Sequence, residues 1–333
     1  MAVDRPITMQ GAALVAALLA VVAAWLARPV TFQIEGVSMA PALLPDDLVT
    51  TAAVPFWDRV RQPRRFDRWV LRAPDGTQAI KRVAGLPGET IAFVAGDLAL
   101  HGTAILKGPQ LLADMGSLVP VEPPTARATA SSAWQWELPP REVLDDADFA
   151  PQERSRLLLP VRDVGLAGEL TVRNLSAAGR MRMRVRIADT LVTLGLHAAG
   201  RYAIVAGRLD GHLVVAAWPI AARAAEFSRS CLPSGPPEHW HVAVPWDRQA
   251  ADDTLTPHLA LGIDADDATA VVERVAVWRD VLYRPPVDGT STWRIEAGAV
   301  FLLGDFPSGS IDSRHWGPVP RAALQQRIIR RAW

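Results

Sequence analysis

The chain is poor in cysteine and lysine, and it has no excess of either charge. Cys231 is the single cysteine among 333 residues, so no intramolecular disulfide can form. Acidic and basic residues balance at 35 each, which gives no electrostatic reason to expect nucleic acid or another polyanion as a partner. Lysine occurs at two positions, 81 and 107, whereas arginine occurs at 33. A chain of this length with 50% hydrophobic residues is long enough for two domains stabilised by packing alone.

A segment without charge lies near the N-terminus, from Gly11 to Ala27. As a helix it would be about 25 Å long, slightly less than the ~30 Å hydrocarbon core of a bilayer. Ile7 to Arg28 reaches further, with Trp25 suited to one membrane interface. A cleaved signal peptide and a buried helix of a soluble protein are the alternatives. We predict an uncleaved single-span anchor over residues 1–30, and the flanking charges leave its orientation open.

Short strand-like runs separated by glycine, proline and aspartate follow this segment. No helix of useful length is predicted between residues 30 and 106. Two of the runs flank Ala95-Gly96-Asp97 and are typical of a hairpin. The predicted strands are Thr31–Ile34, Leu48–Thr51, Trp69–Arg72, Thr77–Val83, Thr90–Val94 and Leu98–His101.

The pattern changes near Pro109. Residues 120–132 are predicted to be a loop, and a second β-rich region follows from Trp134 to about Tyr283. Its alternating strands, such as Met181–Ile187, indicate an antiparallel sandwich. The first pattern then returns, and the tail over Arg321–Arg331 is expected to be a short helix. We therefore predict one β domain in two parts, residues 31–106 and 291–333, which encloses an inserted β-sandwich domain, residues 107–290.

Ser38 and Lys81 are the candidates for chemistry. A serine hydroxyl needs a base to become a nucleophile, and lysine can act as that base only when neutral. Lowering a lysine pKa from about 10.4 to about 7 takes roughly 4 kcal/mol, which burial can supply. On a strand Lys81 points opposite to Arg82, so we expect Arg82 to stay in solvent while Lys81 points inward. Taken singly, a surface lysine and a turn serine are the simpler interpretations.

Three segments in a fixed order favour the catalytic interpretation of Ser38 and Lys81 over these simpler ones. They are Ser38-Met39-Ala40-Pro41, Lys81 to Glu89, and Gly304-Asp305-Phe306 with Ser310-Ile311-Asp312-Ser313-Arg314. Together they resemble bacterial type I signal peptidase (leader peptidase), the Ser/Lys-dyad membrane protease of the S26 family that removes signal peptides from exported proteins. The segment Asp67–Pro74 resembles that family's remaining motif. The resemblance covers about residues 10–106 and 291–333 and leaves the middle unmatched.

The resemblance implies a role for residues of each segment. Ser38 matches the nucleophile, Lys81 the general base, and Ser310 the serine that orients the lysine ammonium. The residues implied to shape the site or its oxyanion hole are Gly36, Met39, Asp305, Asp312 and Arg314. The residues implied to contact an extended substrate are Ile34, Val37 and Ala79.

Three positions depart from the family pattern. Gly36 stands where some members carry a serine that adds an oxyanion donor. Phe306 replaces the asparagine after Gly-Asp, and Glu89 replaces the aspartate after Pro-Gly. None of these changes removes a member of the dyad, so they bear on catalytic efficiency more than on reaction type.

The resemblance also implies a setting for the protein. It predicts a mainly β fold with an N-terminal transmembrane helix, a signal-peptidase-type catalytic core and an inserted antiparallel β-sandwich. The protein would be single-pass in the cytoplasmic (inner) membrane with its catalytic domain on the outer (periplasmic) face. Its partners would be signal peptides of exported preproteins and the lipid bilayer, with no nucleic acid.

We expect no cofactor and no metal. His239 and His241 lie on one face of a predicted strand, but no third ligand accompanies them in the sequence, so a surface pair is expected. The inserted domain leaves room for an unknown ligand of its own. Two other functions stay open. One is a Ser/Lys peptidase that processes a dedicated substrate or itself. The other is a membrane-tethered binding protein whose sandwich recognises glycan or protein and whose peptidase site is vestigial.

Overall fold

The computed structural model describes residues 17–18, 29–52, 63–107, 109–119, 136–145, 158–173, 181–196, 198–220, 239–245, 258–265, 269–286 and 289–332. Most of these residues are in β-strands, which confirms the predicted mainly β fold. Apart from the helical residues Ala17 and Leu18, the α-helices in the described part of the chain are α1 (Pro109–Met115) and α2 (Ser313–Trp316). In chain order the strands are β1 (Val30–Gln33), β2 (Leu48–Ala52), β3 (Arg68–Arg72), β4 (Gln78–Gly85), β5 (Thr90–Val94), β6 (Asp97–Leu100), β7 (Thr103–Ala104), β8 (Ser117–Val119), β9 (Trp136–Leu138), β10 (Val164–Arg173), β11 (Met181–Ile187), β12 (Thr190–Leu196), β13 (Gly200–Leu209), β14 (His212–Pro219), β15 (His239–Pro245), β16 (Leu259–Ala265), β17 (Thr269–Arg279), β18 (Thr292–Arg294), β19 (Ala299–Leu303), β20 (Val319–Pro320) and β21 (Leu324–Ala332).

One seven-stranded antiparallel sheet is built from both ends of the chain, in the order β1-β2-β21-β3-β4-β19-β20. The prediction of a short helix in the tail was wrong, because β21 lies between β2 and β3 and pairs with both. Those two strands lie more than 250 residues earlier, and their free backbone edges outweigh the local preference of the tail. Ile328 of β21 is buried in the core of this sheet.

Apolar clusters cover both faces of this sheet around β4. Ile80 packs with the cluster that contains Met39 and Val70, and Val83 belongs to the cluster that contains Leu302. Because neither face is open, the residues of the second half of β4 are buried on both sides. The expectation that Arg82 stays in solvent was therefore wrong, since its exposed fraction is 2%.

A small four-stranded sheet, β18-β5-β6-β7, packs beside β19. The predicted hairpin is confirmed as β5 and β6. Its turn residues Ala95 and Gly96 have φ values of 53° and 94°. Two successive positive φ values are what a tight hairpin turn requires.

The strands between β7 and β18 form two further sheets. One is six-stranded, β15-β14-β13-β10-β17-β8, and the other is four-stranded, β12-β11-β16-β9. They share one hydrophobic core, to which Leu170 and Ile204 contribute from the first sheet and Val185 and Leu261 from the second. Two sheets that pack face to face in this way form the antiparallel sandwich that the alternation predicted. Helix α1 was not predicted, and its Leu112 packs on a second cluster of the six-stranded sheet.

Of the anchor predicted over residues 1–30, the structure describes Ala17 and Leu18, which are helical, and residues 29–30, of which Val30 already belongs to β1. Within the part of the chain that is described, no helix combines the length and the apolar character needed to span a bilayer. The loop predicted at residues 120–132 also lies outside the described residues.

Candidate active site

Ser38 and Lys81 lie 43 residues apart in sequence and meet in space, with 2.8 Å between Lys81 Nζ and Ser38 Oγ. Lys81 projects from β4, whereas Ser38 lies in the loop between β1 and β2. That loop is fixed by backbone hydrogen bonds, from Ala40 N–H to the Val37 carbonyl at 2.9 Å and from Leu43 N–H to the Met39 carbonyl at 2.8 Å. The separation is within the range that direct proton transfer between a nucleophile and its base requires.

The Lys81 side chain is buried, with 4% of the residue exposed. Burial lowers the pKa of Lys81 to about 8. The carboxylates of Asp312 and Asp305 oppose this shift, and the Arg314 guanidinium adds to it. A lysine with a pKa near 8 is partly neutral at physiological pH and can therefore accept a proton.

Gly304 allows the loop after β19 to approach the serine closely. A Cβ atom at this position would lie 2.3 Å from Ser310 Oγ and 2.5 Å from the Ser38 carbonyl oxygen. The N–H of Phe306 in the same loop donates a hydrogen bond to that carbonyl at 3.1 Å. A side chain at position 304 would therefore move both the nucleophile and the neighbouring serine.

Asp312 is the centre of the hydrogen-bond network on this side of the site. Its buried carboxylate accepts hydrogen bonds from Gly304 N–H at 3.0 Å, from Ser310 Oγ at 2.9 Å and from Arg314 Nε at 2.9 Å. It also caps α2 by accepting from Arg314 N–H at 3.1 Å. The Ser310 hydroxyl thus donates to Asp312, and within the described residues no hydrogen bond joins it to Lys81. Its proposed role in orienting the lysine stays a prediction.

Arg82 is the residue of this site that sequence reasoning missed. It forms a bidentate pair with Asp305, with distances of 2.7 Å from Nε to Oδ1 and 2.5 Å from Nη2 to Oδ2. Its Nη2 also donates to Asp114 of α1 at 2.9 Å. Burial alone would lower the pKa of Arg82, but the carboxylates of Asp305 and Asp114 raise it above its usual value. The position of Arg82 next to Lys81 was a signal that could have identified it from the sequence. No such signal was available for Asp114, because its helix α1 was not predicted.

The other predicted site residues surround the serine loop. Gly36 is exposed, and a Cβ atom there would have nothing within 4 Å. Ile34 and Met39 are buried in the core beneath the loop, while Val37 and Ala79 are half-buried. Contact of these residues with a substrate stays a prediction. His239 and His241 lie on β15, but their side chains are outside the described part of the structure.

Comparisons with known proteins match the parts of the chain that carry this geometry. The profile of the family described as "Signal peptidase, peptidase S26" matches residues 7–144 and 273–333, more than half of the chain. The unmatched stretch contains most strands of the sandwich.

Three curated relatives have local similarity to the chain. Mitochondrial inner membrane protease subunit 1 of Schizosaccharomyces pombe is 37% identical over 54 residues, 16% of this chain and 34% of the relative. Signal peptidase I V of Bacillus subtilis is 34% identical over 76 residues, 23% and 44% respectively. Mitochondrial ATP-independent inner membrane protease subunit 1b of Arabidopsis thaliana is 41% identical over 46 residues, 14% and 27%. The chain thus spans less than half the length of each of these relatives. The family profile, in contrast, matches both segments of the chain that build the seven-stranded sheet. The chain therefore belongs to the S26 family of signal peptidases.

Proposed function

We propose that the protein is a membrane-bound serine endopeptidase that cleaves signal peptides from exported preproteins. The observation that carries the proposal is the 2.8 Å contact between Ser38 Oγ and the amine of Lys81, whose pKa burial lowers to about 8. Membership of the S26 family supports a peptidase, and the similarity to Signal peptidase I V supports the substrate class.

In the proposed mechanism, neutral Lys81 takes the proton of the Ser38 hydroxyl as its oxygen attacks the carbonyl carbon of the scissile bond. The Lys81 ammonium then gives this proton to the leaving amine, and an ester to Ser38 remains. Lys81, again neutral, takes a proton from the water that attacks the ester and gives it to Ser38 Oγ as the ester bond breaks, which restores the serine hydroxyl. In this mechanism the backbone N–H of Ser38 donates a hydrogen bond to the developing oxyanion. A base with a pKa near 8 suits both halves of this cycle, because it accepts and releases a proton near neutral pH.

Two backbone edges near Ser38 suit an extended peptide. β1 is at the edge of the seven-stranded sheet and leads into the serine loop. On the other side, β19 pairs with β4 from Arg82 onward, with Leu303 opposite Arg82. The part of β4 that precedes Arg82 therefore has no strand partner on that side among the described residues. A substrate that adds as a strand between these edges brings its peptide bond to Ser38.

The proposed setting is the inner membrane, with the catalytic domain on its outer face. Ten residues separate Arg28, at the end of the apolar segment, from Ser38, so the serine lies at most about 35 Å from the anchor. A signal sequence presents its cleavage junction at the end of an apolar helix, near the same bilayer surface. Two of the relatives are named as inner membrane proteases, which supports a membrane setting.

The test is cleavage of a preprotein by the full chain in membranes. Ser38→Ala and Lys81→Ala are each expected to abolish cleavage while the protein stays in the membrane fraction. Ser308→Ala is the matched control, because this serine is exposed in the turn next to the site. Cleavage by either dyad variant at the wild-type rate would refute the mechanism.

A peptidase dedicated to one substrate, or to itself, is the nearest alternative. A panel of unrelated preproteins discriminates the two functions, since general cleavage favours the broad role. A vestigial site in a glycan-binding or protein-binding molecule predicts no cleavage of any preprotein. The hydrogen-bonded Ser38 and Lys81 pair favours an active enzyme over this last function.

A further inference from the structure

Helix α1 brings one residue of the predicted insert next to the active site. One carboxylate oxygen of Asp114 accepts a hydrogen bond from Arg82 Nη2 at 2.9 Å, and the other accepts one from Arg68 Nη1 at 3.2 Å. Both arginines belong to the sheet that carries Lys81, whereas Asp114 does not. Asp114 is thus a point at which the region 107–290 contacts the catalytic sheet.

The two arginines are directly opposite each other, Arg68 on β3 and Arg82 on β4. Side chains in this position lie on the same face of a sheet, and like charges there repel each other. Asp114 offers one oxygen to each guanidinium. Its carboxylate therefore allows two arginines to stay side by side next to the catalytic lysine.

The Arg82 guanidinium is held at all of its nitrogens. Nε and Nη2 donate to Asp305, and Nη1 donates to the Phe66 carbonyl at 2.9 Å. The contact with Asp114 uses Nη2 a second time. Rotation of this planar group would break a charge-assisted hydrogen bond in any direction, so Asp114 helps to fix the orientation in which Arg82 meets Asp305.

Both members of the dyad adjoin the pair of Arg82 and Asp305. Lys81 directly precedes Arg82 on β4. On the other side, the N–H of Phe306, the residue after Asp305, donates to the Ser38 carbonyl at 3.1 Å. A shift of the pair would therefore reach the base through β4 and the nucleophile through the loop after β19. A displacement of about 1 Å at a catalytic group is enough to lower a rate about 100-fold.

Helix α1 is tied to the sandwich on both sides of Asp114. Leu112 packs on a cluster of the six-stranded sheet, and β8, which begins just after α1, pairs with β17 of the same sheet. Before the helix, the backbone N–H of Lys107 donates to the carboxylate of Asp210, next to β13, at 2.6 Å. The sandwich therefore determines where Asp114 lies.

We propose that Asp114 is a positioning residue of the peptidase. It connects the inserted sandwich to Arg82. Through Arg82 it holds Ser38 and Lys81 at the separation that proton transfer requires. This inference rests on the proposed function, and it gives the inserted region a part in catalysis that is separate from any ligand of its own.

The test is the kinetics of preprotein cleavage by the full chain in detergent at pH 9, where Lys81 is mostly neutral. Asp114→Asn keeps the shape of the side chain and removes its charge. We expect its kcat to fall about tenfold and its KM to stay within about twofold of the wild type, since Asp114 acts on the dyad and not on substrate binding. A kcat within about twofold of the wild type, whatever the change in Tm, would overturn the proposal.

Two further variants separate positioning from stability. Asp114→Glu restores the carboxylate at a partly exposed position and is expected to recover most of the lost kcat, so a chain as slow as Asp114→Asn would contradict a role for the charge. Val185→Ala removes two methyl groups from the sandwich core and is expected to lower the Tm without a change in kcat. An equal fall in kcat in Val185→Ala and Asp114→Asn would show that kcat follows overall stability, which also overturns the proposal.

A second measurement does not depend on cleavage. The chain has two lysines, so ¹³C labelling of lysine gives two Cε signals in NMR spectra. Burial alone would lower the pKa of Lys107, but Asp280 and Asp210 raise it well above its usual value, so the signal that titrates near pH 8 belongs to Lys81.

Asp114→Asn leaves the positive charge of Arg82 less well balanced, so the pKa of Lys81 is expected to be lower in this variant than in the wild type. If the wild type cleaves no preprotein, the proposed function fails and this titration decides the inference alone. A lower pKa of Lys81 would then support the connection from Asp114 to the lysine, and an unchanged titration would overturn it.

Discussion

Replacing Lys81 by methionine should abolish activity and stabilise the protein. Burial lowers the pKa of Lys81 from 10.5 to about 8. At pH 7 the lysine is therefore charged in the unfolded chain and mostly charged in the folded one. Burying this charge lowers the free energy of unfolding. At 1.36 kcal/mol per pKa unit this cost is about 3 kcal/mol. Methionine has a similar length and no charge, and it gives up the hydrogen bond to Ser38, worth about 1 kcal/mol. We expect a net gain of about 2 kcal/mol in the free energy of unfolding at pH 7.

The pH dependence of this gain tests its cause. Because the folded-state pKa of Lys81 is lowered, the unfolded chain binds more protons than the folded chain between about pH 8 and 10.5. The stability of the wild type therefore rises with pH through this window, whereas the contribution of position 81 in Lys81→Met does not change. The advantage of the variant should shrink by about 2 kcal/mol between pH 7 and pH 9.5.

The measurement is denaturant unfolding of both chains at the two pH values, followed by tryptophan fluorescence. Lys107→Met is the matched control, since it replaces the other buried lysine but leaves Asp210 and Asp280 without their cation. It should destabilise the protein, as loss of one partner of a buried ion pair does. If Lys81→Met is less stable than the wild type by an amount independent of pH, burial does not lower the pKa of the lysine and the reasoning fails.

Three further predictions concern catalysis. The kcat/KM for a preprotein should rise about tenfold from pH 7 to pH 9 with an apparent pKa near 8, and a profile that is flat over this range would exclude Lys81 as the base. Gly36→Ser should raise kcat by several-fold, because open space surrounds a Cβ atom there and the serine hydroxyl can donate to the oxyanion. Gly36→Ala, which adds no hydroxyl, should leave kcat unchanged. Equal kcat values in the two variants would contradict this role of the hydroxyl. Gly304→Ala should lower kcat by about 100-fold, since its Cβ atom would collide with Ser310 Oγ and the Ser38 carbonyl, and a rate within twofold of wild type would show that the loop relaxes freely.

The local sequence was sufficient for features that depend on neighbouring residues. The hairpin at Ala95 and Gly96 was predicted from its turn residues, and the strand that carries Lys81 was predicted as a short run bounded by turn residues. The features that were missed depend on partners far away in the chain. The tail forms β21 because it pairs with the backbone edges of both β2 and β3. Arg82 is buried because the carboxylates of Asp305 and Asp114 neutralise its charge. A pattern read along one strand does not contain those partners.

The same distant partners explain how a lysine beside two aspartates keeps a pKa near 8. An unpaired carboxylate close to Lys81 would favour its charged form strongly and would remove the base. In the structure Asp305 is paired with Arg82, and Asp312 with Arg314, so each carboxylate acts on Lys81 with its charge largely balanced. Burial is then the largest influence on the lysine, and its pKa falls. The arginines therefore do more than stabilise the loop, because by neutralising the aspartates they allow burial to produce a neutral amine next to Ser38.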